Sequence, residues 1–513
     1  MDGPTPREAD GYYHPRSEPE LQSLVRLARA RGASLRVRGS LHSIPGAIHT
    51  DGRLAGTGRD IDVSLDRYTC VTFDDARRRV TVQAGCRLGD DPGDPTGLAT
   101  FQASLVAQLD ARGWALPDLG GVTHQTVSGF LMTGSCGGTV RYSNEDAVVA
   151  FRFIDGEGNI CEVERDRDDL FDAFACSMGL LGVVSTVTFS CVDRYDLVGR
   201  ATVTSDDAWP TRLSGPGTSP LESFFRETDY ARLMWWPQAG VERVVTWQAR
   251  LMTDADYTHE TGPRGALRPR PYDQIGTGLT HPRLRDGASQ VVQWMGGKAF
   301  DAMARARHLA RRIERRAPAT ARLVGPLRSA FTSHVLPRIL GQFVPLDTEG
   351  QRFWDTWWHG LPMDNQMSES SLPTSFTEIW VPLEATHEVM SSLRAHFRKG
   401  GFSATGAFLF EIYAARASRY WMHPGHGRDS LRIDVFWFDR NGEDPVTTFF
   451  PQFWELLAPF GYRLHWGKYL PADGGASYLR KQYPRWDDFL RARTALDPGD
   501  VFLNAHFRKA LGL

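Results

Sequence analysis

The strongest constraint on this chain is a segment too rich in glycine to be an ordinary core. Leu116-Pro117-Asp118-Leu119-Gly120-Gly121 leads through Thr126-Val127-Ser128-Gly129 to Thr133-Gly134-Ser135-Cys136-Gly137-Gly138, with only short apolar interruptions. Glycine destabilises a regular element by roughly 0.5–1 kcal/mol relative to alanine, so such a run points to something flat or bulky passing close to the backbone. A second glycine turn, Arg38-Gly39-Ser40-Leu41-His42-Ser43, comes earlier. Before it, Leu21, Leu24, Val25, Leu27 and Ala28 recur at helical spacing, Gly32 ends the helix, and Leu35-Arg36-Val37 reads as a short buried strand. In such a turn successive backbone N–H groups can converge on an anion, which is how a pyrophosphate is bound. A third glycine turn, Gly179-Leu180-Leu181-Gly182, runs into the alternating strand Val183 to Phe189.

A chain of 513 residues with 41% hydrophobic content outgrows one core, since single cores stop growing near ~250–300 residues, and two domains are expected. The net charge of −2 gives nucleic acid no footing as a partner. The start is polar and no run of ~18 apolar residues occurs, so a cytoplasmic location without stable membrane insertion is expected. The cysteines Cys70, Cys86, Cys136, Cys161, Cys176 and Cys191 stand singly, which argues against a metal site and for reduced thiols buried as small core residues. A Rossmann fingerprint, a Walker loop, His-Glu-x-x-His and a Gly-x-Ser-x-Gly elbow are all missing.

Tyr68–Phe73 and Arg79–Ala84 flank Asp74-Asp75 as a hairpin, and Asp90 to Gly97 form a Pro/Gly/Asp loop before the next helix. Residues 298 to 328 carry Arg305, Arg307, Arg311, Arg312, Arg315, Arg316, Arg322 and Arg328 at helical spacing, as a solvated helix face or one lying on an anionic membrane surface. Trp235, Trp236, Trp247, Trp294, Trp354, Trp357 and Trp358 are expected in cores, with room for an aromatic-lined pocket.

Near the C-terminus stand His465-Trp466-Gly467-Lys468 and Leu496-Asp497-Pro498 continuing to Phe502-Leu503-Asn504 and Arg508. Thr377 to Leu383, Glu411-Ile412-Tyr413 and Tyr420-Trp421-Met422-His423-Pro424 precede them. With the two glycine turns, these motifs resemble the vanillyl-alcohol-oxidase (PCMH) type FAD flavoproteins, in the D-arabinono-1,4-lactone oxidase-like branch of sugar-lactone and alditol oxidases.

The resemblance implies an α+β fold. A two-subdomain FAD-binding PCMH-type domain spans 1–198, a substrate (cap) domain with a large antiparallel sheet and flanking helices spans 199–464, and a C-terminal segment, 465–513, returns to the FAD domain. Thr377 to Leu383 would be an edge strand of the cap. Val37, Arg38, Gly39, Ser40, Leu41, His42 and Ser43 would bind the FAD pyrophosphate, with His42 carrying the flavin covalently through its 8α-methyl. Gly120, Gly121, Thr126, Gly129, Thr133, Gly134, Ser135 and Cys136 would lie along the isoalloxazine and pyrophosphate, and Val183 and Val184 near the adenine half.

The implied reaction is two-electron oxidation of a CH–OH group, with hydride passing to flavin N5 and O2 reoxidising the flavin to give H2O2; Gly120 stands where a small residue admits oxygen. A same-fold dehydrogenase using a quinone or cytochrome, or a catalytically altered flavin-binding protein, are the alternatives. Glu411 matches the family's active-site glutamate, and with Lys468 it would handle the proton. His465 is either a site residue or a structural histidine. Two positions depart from the pattern. Tyr413 stands where an arginine is expected and Phe436 where a polar residue meets sugar hydroxyls, which points to a larger or less polar alcohol, polyol derivative or lactone. Arg416 could replace the arginine only if the backbone there is helical.

Overall fold

Helix α1, Glu18–Arg31, forms where the sequence spaces its apolar residues, burying Leu21, Leu24, Val25 and Ala28 and closing on Gly32 in the left-handed conformation. The computed structural model describes residues 5–208, 213, 220–260, 268–275, 282–316, 334–367, 370–406 and 408–513. After α1, strand Leu35–Arg38 pairs in parallel with Ile61–Ser64. A five-stranded antiparallel sheet follows in the order Val71–Asp74, Arg79–Gln83, Val183–Ser190, Val148–Ile154, Ile160–Glu164. Its first two strands are the hairpin expected from the sequence. The chain's end is tied to this half, because Leu35 N–H donates to Val501 O at 2.7 Å and the Arg36 guanidinium donates to Phe502 O at 3.1 Å.

The other half is built on an eight-stranded antiparallel sheet. Its order is Asp347–Thr356, Asp196–Ser205, Arg243–Leu251, Tyr230–Trp236, Phe410–Ala415, Ser430–Phe438, Thr374–Pro382, Arg463–Leu464. Thr374–Pro382, which contains the expected edge strand, is penultimate instead, because Arg463–Leu464 pairs with Ile379 and Trp380 on the way back to the first half. Strand alternation divides the central residues between two faces. Leu233, Trp235, Phe410, Ile412, Ile433 and Val435 are buried on one, where Phe397 of the helix Thr386–Gly400 packs its ring 5.2 Å from Trp235 and 5.1 Å from Phe410. The other face carries Arg232, Glu411, Tyr413, Arg432 and Asp434.

Two composition-based expectations change. Only Cys86, Cys176 and Cys191 are buried; Cys136 and Cys161 are half-buried and Cys70 is exposed, since spacing along the chain does not specify depth. Trp235, Trp236, Trp247 and Trp357 are core residues, whereas Trp294 is 57% exposed on the long helix Pro282–Arg316. Arg322 and Arg328 of the arginine-rich segment lie outside the described residues. Among the described residues no helix is long and apolar enough to cross a membrane.

Candidate active site

Two spaces meet at the His42 turn. The first is a slot lined by Val37 to Ser43, Thr126, Gly129, Thr133, Val183 and Val184. Thr126 caps the short helix Val127–Met132 by accepting the Gly129 N–H, and the turn packs directly on that cap. A Cβ on Gly39 would meet Thr126 Oγ1 at 2.7 Å and one on Gly129 would meet it at 2.9 Å, so these two glycines leave room for the capping Thr126 side chain. Arg38 lines the slot with its guanidinium 4.6 Å from the Tyr12 ring centroid, and its buried Nε has no hydrogen-bond partner in the protein. A slot with glycines in its turn and an arginine with an unspent donor fits the diphosphate of a dinucleotide.

The second space is a cavity of about 1740 Å³, larger than the ~300–1,000 Å³ typical of a small-molecule pocket. Arg38, Ser40, Leu41, His42 and Ser43 line it as well, joined by Gly120, Gly121, Ser135, Cys136, Glu411, Tyr413 and Phe436. His465 and Lys468 line both spaces. Gly134 lines neither: it has φ 76°, and a Cβ there would meet the His423 ring at 2.7 Å, so it lies behind the wall where backbone passes a buried histidine. The Asp90–Pro95 loop forms part of the cavity wall, which also includes Phe101 and Trp358, their ring centroids 4.5 Å apart and tilted by 41°.

Register assembles the polar face of the sheet. Tyr413 is the cross-strand partner of Arg232 on one side and of Arg432 on the other; Glu411 pairs with Met234 and Asp434, and Asp434 with Glu378. Tyr413 OH donates to Glu411 Oε2 at 2.7 Å. Arg232, fully buried, contacts Asp364 and lies 3.6 Å from Glu411 Oε1. Arg432 sits 4.1 Å above the Tyr413 ring centroid, donates to Cys136 O at 3.0 Å, and faces Glu378 and Asp434 at 3.4 Å each. Lys468 Nζ donates to His42 O at 2.8 Å and stands 4.1 Å from the Phe376 ring centroid, which itself packs 4.8 Å from Phe436.

Burial sets the protonation states of this face. It pushes Glu411 up to about 7, helped by the Asp364 charge and opposed by Arg232 and by the Tyr413 hydroxyl. Asp434 rises well above the carboxylate range because burial and the neighbouring carboxylates outweigh Arg432. For Glu378 burial acts in the same sense, but Arg432, His465 and Lys468 overcome it and hold the carboxyl below its usual value. Burial, reinforced by Lys468 and Arg432 against Glu378, takes His465 down to about 4. The neutral ring accepts the Gly467 N–H on Nδ1 at 3.1 Å, so Nε2 carries the hydrogen and faces Ser135 Oγ at 3.3 Å.

Arg232, Asp364, Glu378, Arg432 and Asp434 escape a motif-based reading. Period-2 alternation was the available signal: Arg432 and Asp434 share a strand face with Phe436, and Arg232 alternates with apolar neighbours in Tyr230-Ala231-Arg232-Leu233. Arg416 does not replace the arginine expected at 413. It follows the strand's last residue and pairs with Asp146 at the surface.

Residues 9–90 match the FAD binding domain family, and residues 362–510 match the D-arabinono-1,4-lactone oxidase family. L-gulonolactone oxidase of Mus musculus is 24% identical over 513 residues, covering 97% of this chain and 94% of that protein. L-gulono-1,4-lactone dehydrogenase of Mycobacterium tuberculosis is 25% identical over 500 residues, covering 97% and 95%. Among solved structures, cholesterol oxidase from B. sterolicum superposes with a TM-score of 0.65 at 15% identity, covering 98% of this chain and 94% of that one, a likeness of fold alone. The slot, the charged sheet face and the two family matches agree: the chain carries a PCMH-type FAD binding domain and a D-arabinono-1,4-lactone oxidase domain, and is an FAD-dependent oxidoreductase.

Proposed function

We propose that this protein oxidises a CH–OH group of a sugar-derived lactone, or of a larger and less polar relative, and passes the electrons to O2 to give H2O2, with FAD attached covalently through His42. The observation that carries the reading is the meeting of Lys468, Glu411 and Tyr413 at the His42 turn within one cavity. FAD, when bound, supplies the acceptor for the carbon-bound hydrogen and its electron pair. The alcohol also loses its hydroxyl proton, and Glu411, poised near neutrality, is the group that takes it. Lys468, anchored to the carbonyl of His42, is the cation at the junction of slot and cavity. His465 orients Ser135 and the Gly467 turn rather than moving a proton. Gly120, which lines the cavity and whose Cβ would stand 3.1 Å from the Phe130 ring, is the small residue at which oxygen is admitted.

The test is anaerobic titration of the holoenzyme with a panel of aldonolactones, alditols and alkyl- or aryl-substituted alcohols. At least one should bleach the flavin absorbance, and admitting O2 should restore it with stoichiometric peroxide. A panel that leaves the flavin oxidised rules the reading out. Acid precipitation should leave the flavin on the protein, whereas His42→Ala should release it. The dehydrogenase reading has its own support, since a relative with that name covers 97% of the chain at 25% identity. It predicts that a quinone or a cytochrome reoxidises the flavin much faster than O2.

A further inference from the structure

Two guanidiniums flank Tyr413, and their surroundings differ. Arg232 is sealed: its side chain is 0% exposed, it is clamped on Asp364, and it lines neither space. Arg432 reaches the cavity wall beside Glu411, Tyr413 and Cys136. A guanidinium has five N–H donors in a fixed fork. One of Arg432's bonds Cys136 O at 3.0 Å, while the contacts to Glu378 and Asp434, at 3.4 Å, are long for charge-assisted bonds. The fork is held by three neighbours that line the cavity with it, and of its five donors two are left beyond those contacts. Tyr413 supplies no cation; its ring is the platform under Arg432 and its hydroxyl is committed to Glu411.

We propose that Arg432 is the substrate-binding arginine of this site, its guanidinium holding the reacting oxygen beside Glu411, so that a charge absent from position 413 is delivered from the adjacent strand. This rests on the oxidase reading above. Residues 413 and 432 are direct cross-strand partners, and such partners keep their Cβ atoms about 4.5–5.5 Å apart. A guanidinium grown from 413 therefore reaches the space that Arg432 fills, provided the side chain at 432 is uncharged and slim. The two positions are exchangeable in a way that a purely structural arginine would not be.

The experiment compares holoenzymes carrying Arg432→Met, Arg432→Lys and the pair Arg432→Met with Tyr413→Arg. Flavin content and melting temperature monitor folding. One readout is kcat/KM with the best substrate of the lactone panel. The other is spectrophotometric titration with sulfite, an anion whose addition bleaches the flavin and is favoured by a nearby cation. Arg432→Met should lower kcat/KM by roughly 10²–10³-fold, the scale of one lost oxyanion donor, and weaken sulfite binding about tenfold, the scale of one charge-assisted contact. Arg432→Lys should fall between, and adding Tyr413→Arg should recover most of both losses. Arg432→Met with both readouts within about twofold of wild type, or a double variant that recovers neither, overturns the proposal. Should Arg432→Met fail to fold, Arg432→Lys and the double variant carry the same test. A wild type that no substrate bleaches would sink the oxidase reading, yet the sulfite series would still decide the role of Arg432.

Discussion

The two walls of the active site are built by different means. The cofactor slot comes from short contiguous turns, Arg38 to Ser43 and the cap at Thr126, where glycines leave room for the capping side chain. The substrate wall comes from single side chains spread over Tyr230–Trp236, Phe410–Ala415, Ser430–Phe438 and Thr374–Pro382, and from Asp364 in a connecting turn. In the first, function depends on what a local segment can fit past itself. In the second it depends on which charge register brings next to which. A family can therefore keep its cofactor turn fixed while charges on the substrate wall change strands.

Lys468 is the cation of the C-terminal motif that lines both walls, and its loss should have the largest effect. Lys468→Met should slow the reductive half-reaction by roughly 10²–10⁴-fold, the scale of a lost acid–base or polarising group. Flavin content should stay near wild type, because the slot keeps its glycines and Arg38. If the variant loses FAD in proportion to activity, Lys468 belongs to the cofactor wall alone and the division fails at that point.

The slot is sharpened by Gly39→Val in a His42→Ala background, where binding is reversible. The new side chain starts 2.7 Å from Thr126 Oγ1, and overpacking of this kind costs about 1–3 kcal/mol, so FAD affinity should fall roughly 5–150-fold. Arg432 and Glu411 lie outside the slot, so affinity for the substrate should be unchanged once the variant is saturated with FAD; a raised KM under those conditions would show the walls to be coupled.

Legibility from sequence follows the same division. The Arg38 to Ser43 turn was read locally as an anion site, Val37, Thr126, Gly129, Thr133, Val183 and Val184 joined it through the resemblance, and all of them line one slot. Glu411, Lys468 and His465 were read from resemblance and line the cavity. Arg432 was out of reach because its significance lies in facing Tyr413, 19 positions away in sequence and one strand away in space. Arg232 and Asp364 are further cases: an arginine in an apolar strand announces nothing until the fold shows its carboxylate partner. Asp90 to Gly97 were read only as a Pro/Gly/Asp loop, since nothing in that composition says what it packs against, and Asp90–Pro95 are cavity wall.

Gly120→Ala should act more mildly. Its Cβ would come 3.1 Å from the Phe130 ring, close enough to demand a small shift. Reoxidation by O2 should slow a few-fold in stopped flow with little change in reduction. Equal slowing of both half-reactions would mean that Gly120 shapes the substrate wall rather than a route for oxygen.

The smallest effects concern proton affinity on the substrate wall, where two variants should move one ionisation in opposite directions. Glu411, raised to about 7 chiefly by burial, must be ionised to accept a proton, so kcat/KM should rise with pH through that region and level off above it. Facing it are Asp364, Arg232, Arg432, Tyr413 and Asp434. Asp364→Asn removes a like charge and leaves Arg232 less neutralised, and both changes favour the carboxylate, so the acidic limb should move to lower pH. Tyr413→Phe deletes the hydroxyl that donates to Glu411 Oε2 at 2.7 Å, which disfavours the carboxylate and should move the same limb to higher pH. Neither substitution touches the slot, so the flavin spectrum and its retention after denaturation should match wild type. If both variants shift the limb in the same direction, the ionisation belongs to another group and Glu411 loses its assignment as the proton acceptor.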